Sequence, residues 1–404
     1  MNLLKEKRIL LGVTGSIAAY KAAELASRLT QQGAQVDVIL TGGAQKFVTP
    51  LTFQSVTGRK AYTDADLWGN DAHVLHVGLA HHADLLVIAP CTTNTLAKLA
   101  HGLADTLLTV TALATTCPLL LAPAMDAGMY EAPATQQNVR ILKDRGATLI
   151  GPKSGHLASG LTGSGRMAEP VEIVAGIRLA LARGGKLAGK RIVVTAGGTQ
   201  EPIDPVRYLT NRSSGKQGYA LAQAALDAGA QVTLVTHPTA LTPPIGADVV
   251  EVRTTQDMLD GVLSACAHAD GLVMAAAVAD FRVKHVAEHK LKKQDGIPQI
   301  ELEAAPDILG TLSKMRGDLQ QLKVVVGFAA ESRDLVENAV TKLTSKKLDF
   351  IAANDISASD AGFAVETNRI TLLYADGRRE SLPLMGKDEV ADAIMERVAA
   401  LLEK

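Results

Sequence analysis

Two stretches of this chain share one pattern of apolar and polar positions. Residues 8–17 read RILLGVTGSI and residues 191–199 read RIVVTAGGT: a basic residue, an apolar run rich in β-branched side chains, a Gly/Thr loop, and then a stretch with helical periodicity. That order describes a buried parallel strand opening onto a helix N-terminus, where free N–H groups and the helix dipole favour an anion. The pattern predicts two phosphate sites. In the first half, apolar runs at 8–13, 36–40, 85–89, 119–122 and 148–150 alternate with helical patterns such as 18–29 and 170–182. In the second half, strands are expected at 192–195, 272–275 and 323–328, the last ending at Gly327. Helices are expected at 218–226, from 306–309 onward, and over 334–347. Alternation of this kind predicts an α/β fold: two doubly wound, three-layer domains with mainly parallel sheets.

Length supports that division, because 404 residues exceed what one hydrophobic core usually serves and the second opening falls near mid-chain. The glycine-rich, basic segment 183–190 reads as a linker, giving domains 1–190 and 191–404. Apolar residues make up 47% and charged residues 21%, with a formal net charge of -1, so no overall field favours nucleic acid or anionic lipid. The start of the chain lacks the apolar run of a signal peptide, and no stretch approaches the roughly 18 apolar residues of a membrane span. A cytoplasmic protein with small-molecule substrates is expected. Cys91, Cys117 and Cys266 are far apart and form no CxxC, so they read as small core residues, not as disulfides or zinc ligands.

Ligands of doubly wound sheets bind beyond the strand C-termini. Four first-half loops are expected there: GVTGSIAAYK (12–21), LTGG (40–43), APCTTNTLAK (89–98) and APAMDAGMY (122–130). The first lacks both full GxGxxG spacing and a P-loop lysine, which disfavours dinucleotide and triphosphate binding. Thr14, Ser16, Thr41, Thr92, Thr93 and Asn94 offer neutral donors to one phosphate, as a flavin mononucleotide site would; singly, each reads first as a helix cap, and only their convergence on one sheet edge favours the phosphate. His73, His76, His81 and His82 cluster without acidic or cysteine partners, so metal binding is the minor reading. His76 is open to two readings, an acid/base near neutral pH or a surface capping residue. Segment 151–169, GPKSGHLASGLTGSGRMAE, reads as a mobile flap or exposed linker, and the helical pattern after it favours the flap.

The order GVTGSIAAYK, the His76 region, APCTTNT, PAMDxxMY and the SG–GRM flap resembles the flavin-dependent cysteine decarboxylases. The whole chain resembles the bacterial bifunctional phosphopantothenoylcysteine decarboxylase/phosphopantothenate-cysteine ligases of coenzyme A biosynthesis. The resemblance implies a flavodoxin-like first domain that holds FMN through Gly12, Thr14, Gly15, Ser16, Ile17, Thr41, Pro90, Thr92, Thr93, Asn94 and Met125, with His76 as the active-site histidine. The thiol would be oxidised through FMN and the carboxylate lost toward a thioaldehyde. Two positions depart from the family pattern: Asp126 replaces the asparagine of PxMN, and Ser159 replaces a flap cysteine that delivers a proton. An ionised Asp126 repels a leaving carboxylate unless protonated or paired, and an alcohol is a weaker acid than a thiol of pKa about 8.5. A water, His156 or a protonated Asp126 are the alternative proton sources. Paired replacement implies a coordinated, active variant. The alternative is a flavin-binding assembly module that has lost catalysis.

In the second half, DPVRYLTNRSSGK (204–216) is expected to place a polar loop, 211–216, at a helix N-terminus, with Arg207, Asn211, Arg212 and Lys216 gathered on one anion; the alternative is a solvated loop. The apolar strand 272–275 leads into a basic loop with Lys284, Lys290, Lys292 and Lys293. Lys342 and Lys346, at i and i+4 on one helix, repel by roughly 0.2–0.5 kcal/mol, which an anion between them would relieve. The resemblance implies a Rossmann-like ligase domain joining phosphopantothenate to cysteine through an acyl cytidylate. Asn211 and Arg207 would act on the activated acyl group. CTP would be held by Ala276, Ala277, Asp280, Lys290, Pro306, Asp307, Ile308, Leu309, Phe328, Lys342 and Lys346. Magnesium is implied by the phosphoryl chemistry; its ligands are not legible. Resemblance also implies homo-oligomers in which trimeric flavin domains complete the FMN site and ligase domains pair as dimers. A nicotinamide dehydrogenase is disfavoured by the missing GxGxxG and the lack of an acidic ribose residue after the first helix.

Overall fold

The computed structural model describes residues 2–68, 75–331, 334–355 and 367–403. The chain forms two compact units, Asn2–Arg183 and Gly184–Lys404.

Six strands build the first unit's sheet: β1 (Arg8–Val13), β2 (Gln35–Leu40), β3 (Ala61–Thr63), β4 (Leu85–Cys91), β5 (Leu119–Pro123) and β6 (Thr148–Leu149). All pair in parallel, in the order β3-β2-β1-β4-β5-β6. Without the three-residue edge strand β3 the order is the flavodoxin-like one, and its crevice falls between β1 and β4, where the chain reverses its winding. β4 is buried at every position, as a strand covered on both faces must be. Alternate strand residues serve opposite layers. Ile9, Leu11 and Val13 pack under α1 (Ala19–Gln31), α2 (Pro50–Thr57) and α8 (Pro170–Ala182). Leu10, Leu86 and Ile88 pack under α3 (Leu75–His82), α4 (Thr93–His101), α5 (Leu107–Ala114) and α7 (Pro133–Asp144), while a single short turn, α6 (Ala127–Glu131), precedes α7. Segment 151–169 is an antiparallel hairpin, β7 (Lys153–His156) and β8 (Thr162–Arg166), anchored at its end by buried Met167 and Ala168.

The second unit's sheet carries β9 (Arg191–Ala196), β12 (Gln231–Thr236), β13 (Ala247–Glu251), β14 (Gly271–Met274), β17 (Val324–Glu331), β18 (Phe350–Asp355), β20 (Ile370–Tyr374) and β21 (Arg379–Ser381). Their order is β13-β12-β9-β14-β17-β18-β20-β21, parallel through β18 and antiparallel beyond. The switch point lies between β9 and β14. Short antiparallel pairs decorate the loops: β10 (Gln200–Pro202) with β11 (Tyr208–Thr210), β15 (Phe281–Val283) with β16 (Leu302–Ala304), and β19 (Thr367–Asn368) with β22 (Met385–Gly386). Helices α10 (Thr255–Cys266), α11 (Ile308–Met315) and α12 (Leu335–Ser345) cover one face. Helices α9 (Lys216–Asp227) and α13 (Lys387–Leu402) pack together, α9 lying on β9.

Three local expectations change. The segment 183–190 is not a free linker: Leu187 is fully buried and its N–H donates to Ala228 O at 2.8 Å, so one leucine docks it on the second unit. β17 runs four residues past Gly327, because β18 continues alongside and pairs it through Glu331. Helix α12 stops at Ser345, leaving Lys346 as its C-cap. Among the described residues, no helix is long and apolar enough to cross a membrane.

Candidate active sites

In the first unit, the β1 and β4 loops are tied across the switch point by one buried hydroxyl. Thr14 Oγ1 donates to Pro90 O at 2.7 Å and accepts the Thr92 N–H at 3.1 Å. Thr41 Oγ1 likewise donates to Val13 O at 3.3 Å. Both hydroxyl protons are therefore given to strand carbonyls of β1 and β4 and are not held out as free donors. Thr92 is the N-cap of α4, accepting from Thr95 N, with Thr93 and Asn94 opening the helix behind it. Phosphate-binding capacity rests instead on backbone. Gly15 and Gly43 approach so closely that a Cβ on Gly15 would sit 3.0 Å from the Gly43 backbone. The N–H groups of Gly15 and Ile17 have no hydrogen-bond partner among the described residues, and the N-cap of α1, Ala18, supplies no side chain. Gly12 serves packing, since a Cβ there would meet the Leu108 side chain at 2.5 Å.

Beside this loop lies a cavity of about 590 Å³ walled by the start of α1, the loop after β5 and the flap. Ser16, Ile17, Met125, Asp126, Ser159 and His156 line it, with Tyr20, Lys21 and Arg166 added by the structure. Two flap glycines explain the fit. A Cβ on Gly165 would fall 2.1 Å from Met125 O, and one on Gly163 would fall 2.6 Å from Ala127 Cβ. Met125 N–H donates to Gly165 O at 3.0 Å, so the hairpin is seated on the β5 loop. At its tip Ser159 Oγ donates to Asp126 Oδ2 at 2.6 Å, while Asp126 Oδ1 accepts the Gly128 N–H at 3.1 Å. Lys21 and Arg166 share one carboxylate, Glu169, at 2.8 and 3.2 Å, so with Asp126 the charged groups at this wall balance.

His76 is the second residue of α3, and it does not line this cavity. Its buried Nδ1 has no hydrogen-bond partner among the described residues. His73 lies outside the described residues, and no cluster of three or more His, Cys, Asp or Glu side chains occurs among the described ones. Cys91 and Cys266 are buried; burial pushes the Cys91 thiol far up and the Cys266 thiol to about 12, so neither is a nucleophile.

The second unit holds a cavity of about 430 Å³ across the C-terminal ends of β14, β17 and β18, closed on one side by the N-terminus of α9. Asn211, Ala276, Ala277, Asp280, Phe328 and Lys342 line it. Asn211 Nδ2 donates to Ala277 O at 3.3 Å and Val278 O at 2.8 Å, which joins the two loops flanking the switch point. Gly215 takes a left-handed φ of 77° at the N-cap of α9, and Gly218 lets that helix lie on β9, where a Cβ would meet Ala196 Cβ at 2.4 Å. Arg212, Lys216, Lys342 and Lys387 face Asp280 as the sole acidic residue of the described lining. With an α9 N-terminus free of acidic residues, this is a cationic cup suited to a polyanion.

Other expected residues stand outside that lining. Arg207 donates to Leu291 O at 2.6 Å beside the buried Asp204, and Lys290 is exposed. Ile308 and Leu309 are core side chains under α10 and α12. Asp307 caps α11 through Gly310 N and pairs with Lys346. Burial pushes the Asp307 carboxyl up, but Lys346, the Gly310 N–H and Lys342 together pull it below its usual range. Asp307 thus supplies Lys346 with a carboxylate of the protein's own, while Lys342 Nζ donates to Phe328 O at 2.9 Å.

Four polar lining residues escaped the sequence pattern: Gln217, Asn354, Asn368 and Lys387. Asn354 ends an apolar run and could have been noticed; the others carry no local signal. Gln217 Nε2 donates to Lys387 O at 3.1 Å, so its oxygen accepts from Asn368 Nδ2 at 3.2 Å and Asn368 turns its own oxygen away. The buried Oδ1 atoms of Asn354 and Asn368 have no partner among the described residues, so this wall offers two acceptors to a ligand.

Two doubly wound units, each with a ligand-sized cavity beyond its parallel strands, define a two-domain α/β protein built to bind small ligands. Residues 2–181 match the Flavoprotein family, and residues 187–402 match the DNA/pantothenate metabolism flavoprotein C-terminal domain. The Coenzyme A biosynthesis bifunctional protein CoaBC of Bacillus subtilis strain 168 is 44% identical over 402 residues, 99% of this chain and 98% of that protein. The protein of that name from Vibrio vulnificus is 42% identical over 404 residues, covering both chains completely. A crystal structure of the C-terminal domain of a protein of that name is 41% identical, covers 55% of this chain and 99% of its own, and has a TM-score of 0.47. The chain belongs to the family of bifunctional coenzyme A biosynthesis enzymes, with a decarboxylase and a ligase activity on one polypeptide.

Proposed function

We propose that the second unit joins phosphopantothenate to cysteine at the expense of CTP, and that the first unit, holding FMN, decarboxylates the phosphopantothenoylcysteine so formed. The observation that carries this division of labour is the pair of separate cavities, one flap-covered and one strongly cationic.

FMN fits the first unit. The Gly15–Gly43 approach leaves a cradle that any Cβ would fill, and the N–H groups of Gly15 and Ile17 stand ready for a phosphate without a cation. When bound, FMN supplies a two-electron acceptor for the substrate thiol. The chain's own residues do the rest: Thr14 holds the two loops in register, Met125 and Gly165 seat the flap that excludes water, and Lys21 with Arg166 offers positive charge to an anionic group. A trimeric arrangement, as the resemblance implies, in which neighbouring chains complete the flavin site, would supply a setting in which His76 acts although it is absent from its own chain's cavity wall.

In the second unit the α9 N-terminus, Lys216 and Lys342 would hold phosphates, and Asn211 fixes the loop bearing Ala276 and Ala277. Magnesium would arrive on the nucleotide, since it keeps most of its waters and needs only one or two carboxylates. Asp280 is the carboxylate of the cavity wall that supports this fit. Dimeric ligase domains and a cytoplasmic location belong to the same reading.

Incubation with phosphopantothenate, cysteine, CTP and magnesium, followed by mass analysis, tests both halves. Phosphopantetheine and a yellow flavin spectrum are expected. Asp126 and Ser159 favour a second reading, a ligase with a flavin-binding but silent first unit; accumulation of phosphopantothenoylcysteine by flavin-loaded protein would select it.

A further inference from the structure

Asp126 and Ser159, the two positions that the resemblance marks as unusual, are bonded to one another. Asp126 ends the β5 loop and Ser159 sits at the tip of the β7–β8 hairpin, where Leu157 N–H closes on Leu161 O at 2.8 Å. Their 2.6 Å contact is as short as a hydroxyl–carboxylate hydrogen bond becomes. The other carboxylate oxygen is held by the Gly128 N–H. Both oxygens of Asp126 are therefore engaged by the protein.

We propose that Asp126 and Ser159 act as one positioning pair: the carboxylate holds the Ser159 hydroxyl, and with it the flap tip, over the cavity, and each residue type at one position requires its counterpart at the other. The physical reason is charge. A thiol at position 159 would form its thiolate against the Asp126 carboxylate, and like charges at contact raise the thiol pKa and weaken it as an acid. A hydroxyl does not ionise, so it donates to the carboxylate at no such cost. Asp126 is accordingly a flap-holding group, not a grip for the leaving carboxylate; that burden falls on the Lys21–Arg166 side of the cavity. Its consequence for turnover rests on the first unit being a decarboxylase, whereas the coupling itself does not.

The test uses the flavin-loaded full chain carrying Ser159→Cys. The alkylation rate of that thiol by iodoacetamide is followed against pH by peptide mass spectrometry, with and without Asp126→Asn. Beside Asp126 the midpoint should lie above the reference of about 8.5, and Asp126→Asn should raise the rate at pH 7.5 by about tenfold. Flavin retention and circular dichroism check that both variants fold. Coincident profiles in folded variants would overturn the pair. For turnover, Ser159→Ala should lower kcat with KM little changed, Ser159→Thr should restore it, and Ser159→Cys/Asp126→Asn should exceed both single variants. Additive effects would also overturn the proposal. A wild-type protein that never releases carbon dioxide, together with shifted alkylation, would defeat the decarboxylase reading and leave the pair standing.

Discussion

A flap glycine shows how tightly single residues control the first cavity. With Met125 O only 2.1 Å from the place a Cβ would occupy, Gly165→Ala must lift β8 off the β5 loop and break the Met125–Gly165 hydrogen bond. Overpacking of this kind costs about 1–3 kcal/mol. The expected outcome is a lower urea midpoint and faster loss of bound flavin, read by fluorescence; an unchanged midpoint would show that the hairpin is not seated as described. Thr14→Val removes a buried hydroxyl and leaves Pro90 O and Thr92 N–H without their partner, a loss of about 1–3 kcal/mol measurable in the same titration. Both residues stand out in the sequence, one in a Gly-rich flap and one in a Gly/Thr loop. What no local pattern discloses is their partner: Thr14 reads as a phosphate donor and is in fact a strap between strands 76 residues apart.

At the scale of elements, the strand and helix positions followed from periodicity, while their ends were set by neighbours. β17 outlasts its apolar run because β18 pairs with it. α10 is instead bounded by local chemistry. Thr254 Oγ1 accepts the Asp257 N–H at 3.1 Å, and Asp257 Oδ2 accepts the Thr254 N–H at 2.9 Å. Thr254→Ala should cost about 1 kcal/mol in chemical denaturation. The Thr254 N–H foremost, helped by its hydroxyl and the Arg253 N–H, holds the Asp257 carboxyl below its usual range against opposing burial. A depressed carboxyl contributes stability that is fully present above its unfolded pKa of about 3.9 and is lost as pH falls through the lower folded value. Asp257→Asn should therefore lower stability at pH 7 and flatten the acid limb of the stability profile; parallel profiles for the two proteins would contradict this role.

For the whole molecule, the two units carry separate hydrophobic cores, and the chain passes between them at Arg183 and Gly184. Separate expression of residues 184–404 is expected to give a cooperatively unfolding protein that still consumes CTP with phosphopantothenate and cysteine. A fragment that fails to unfold cooperatively by circular dichroism would show that the cores depend on one another. A cut at 190 should be worse, since it removes Leu187 from its buried site against the second unit.

The sequence alone determined the α/β class, the two strand-to-loop openings, the family, and most loops that line the two cavities, because apolar period and turn residues are local properties. Tertiary structure decided which of those residues meet. It gathered Asn211, Asp280, Phe328 and Lys342 with the unforeseen Asn354, Asn368 and Lys387, bound Lys346 to Asp307, and joined Asp126 to Ser159 across 33 residues. Such partnerships arise when strands distant in the chain become neighbours and deliver their ends to one edge, so no window of sequence contains them.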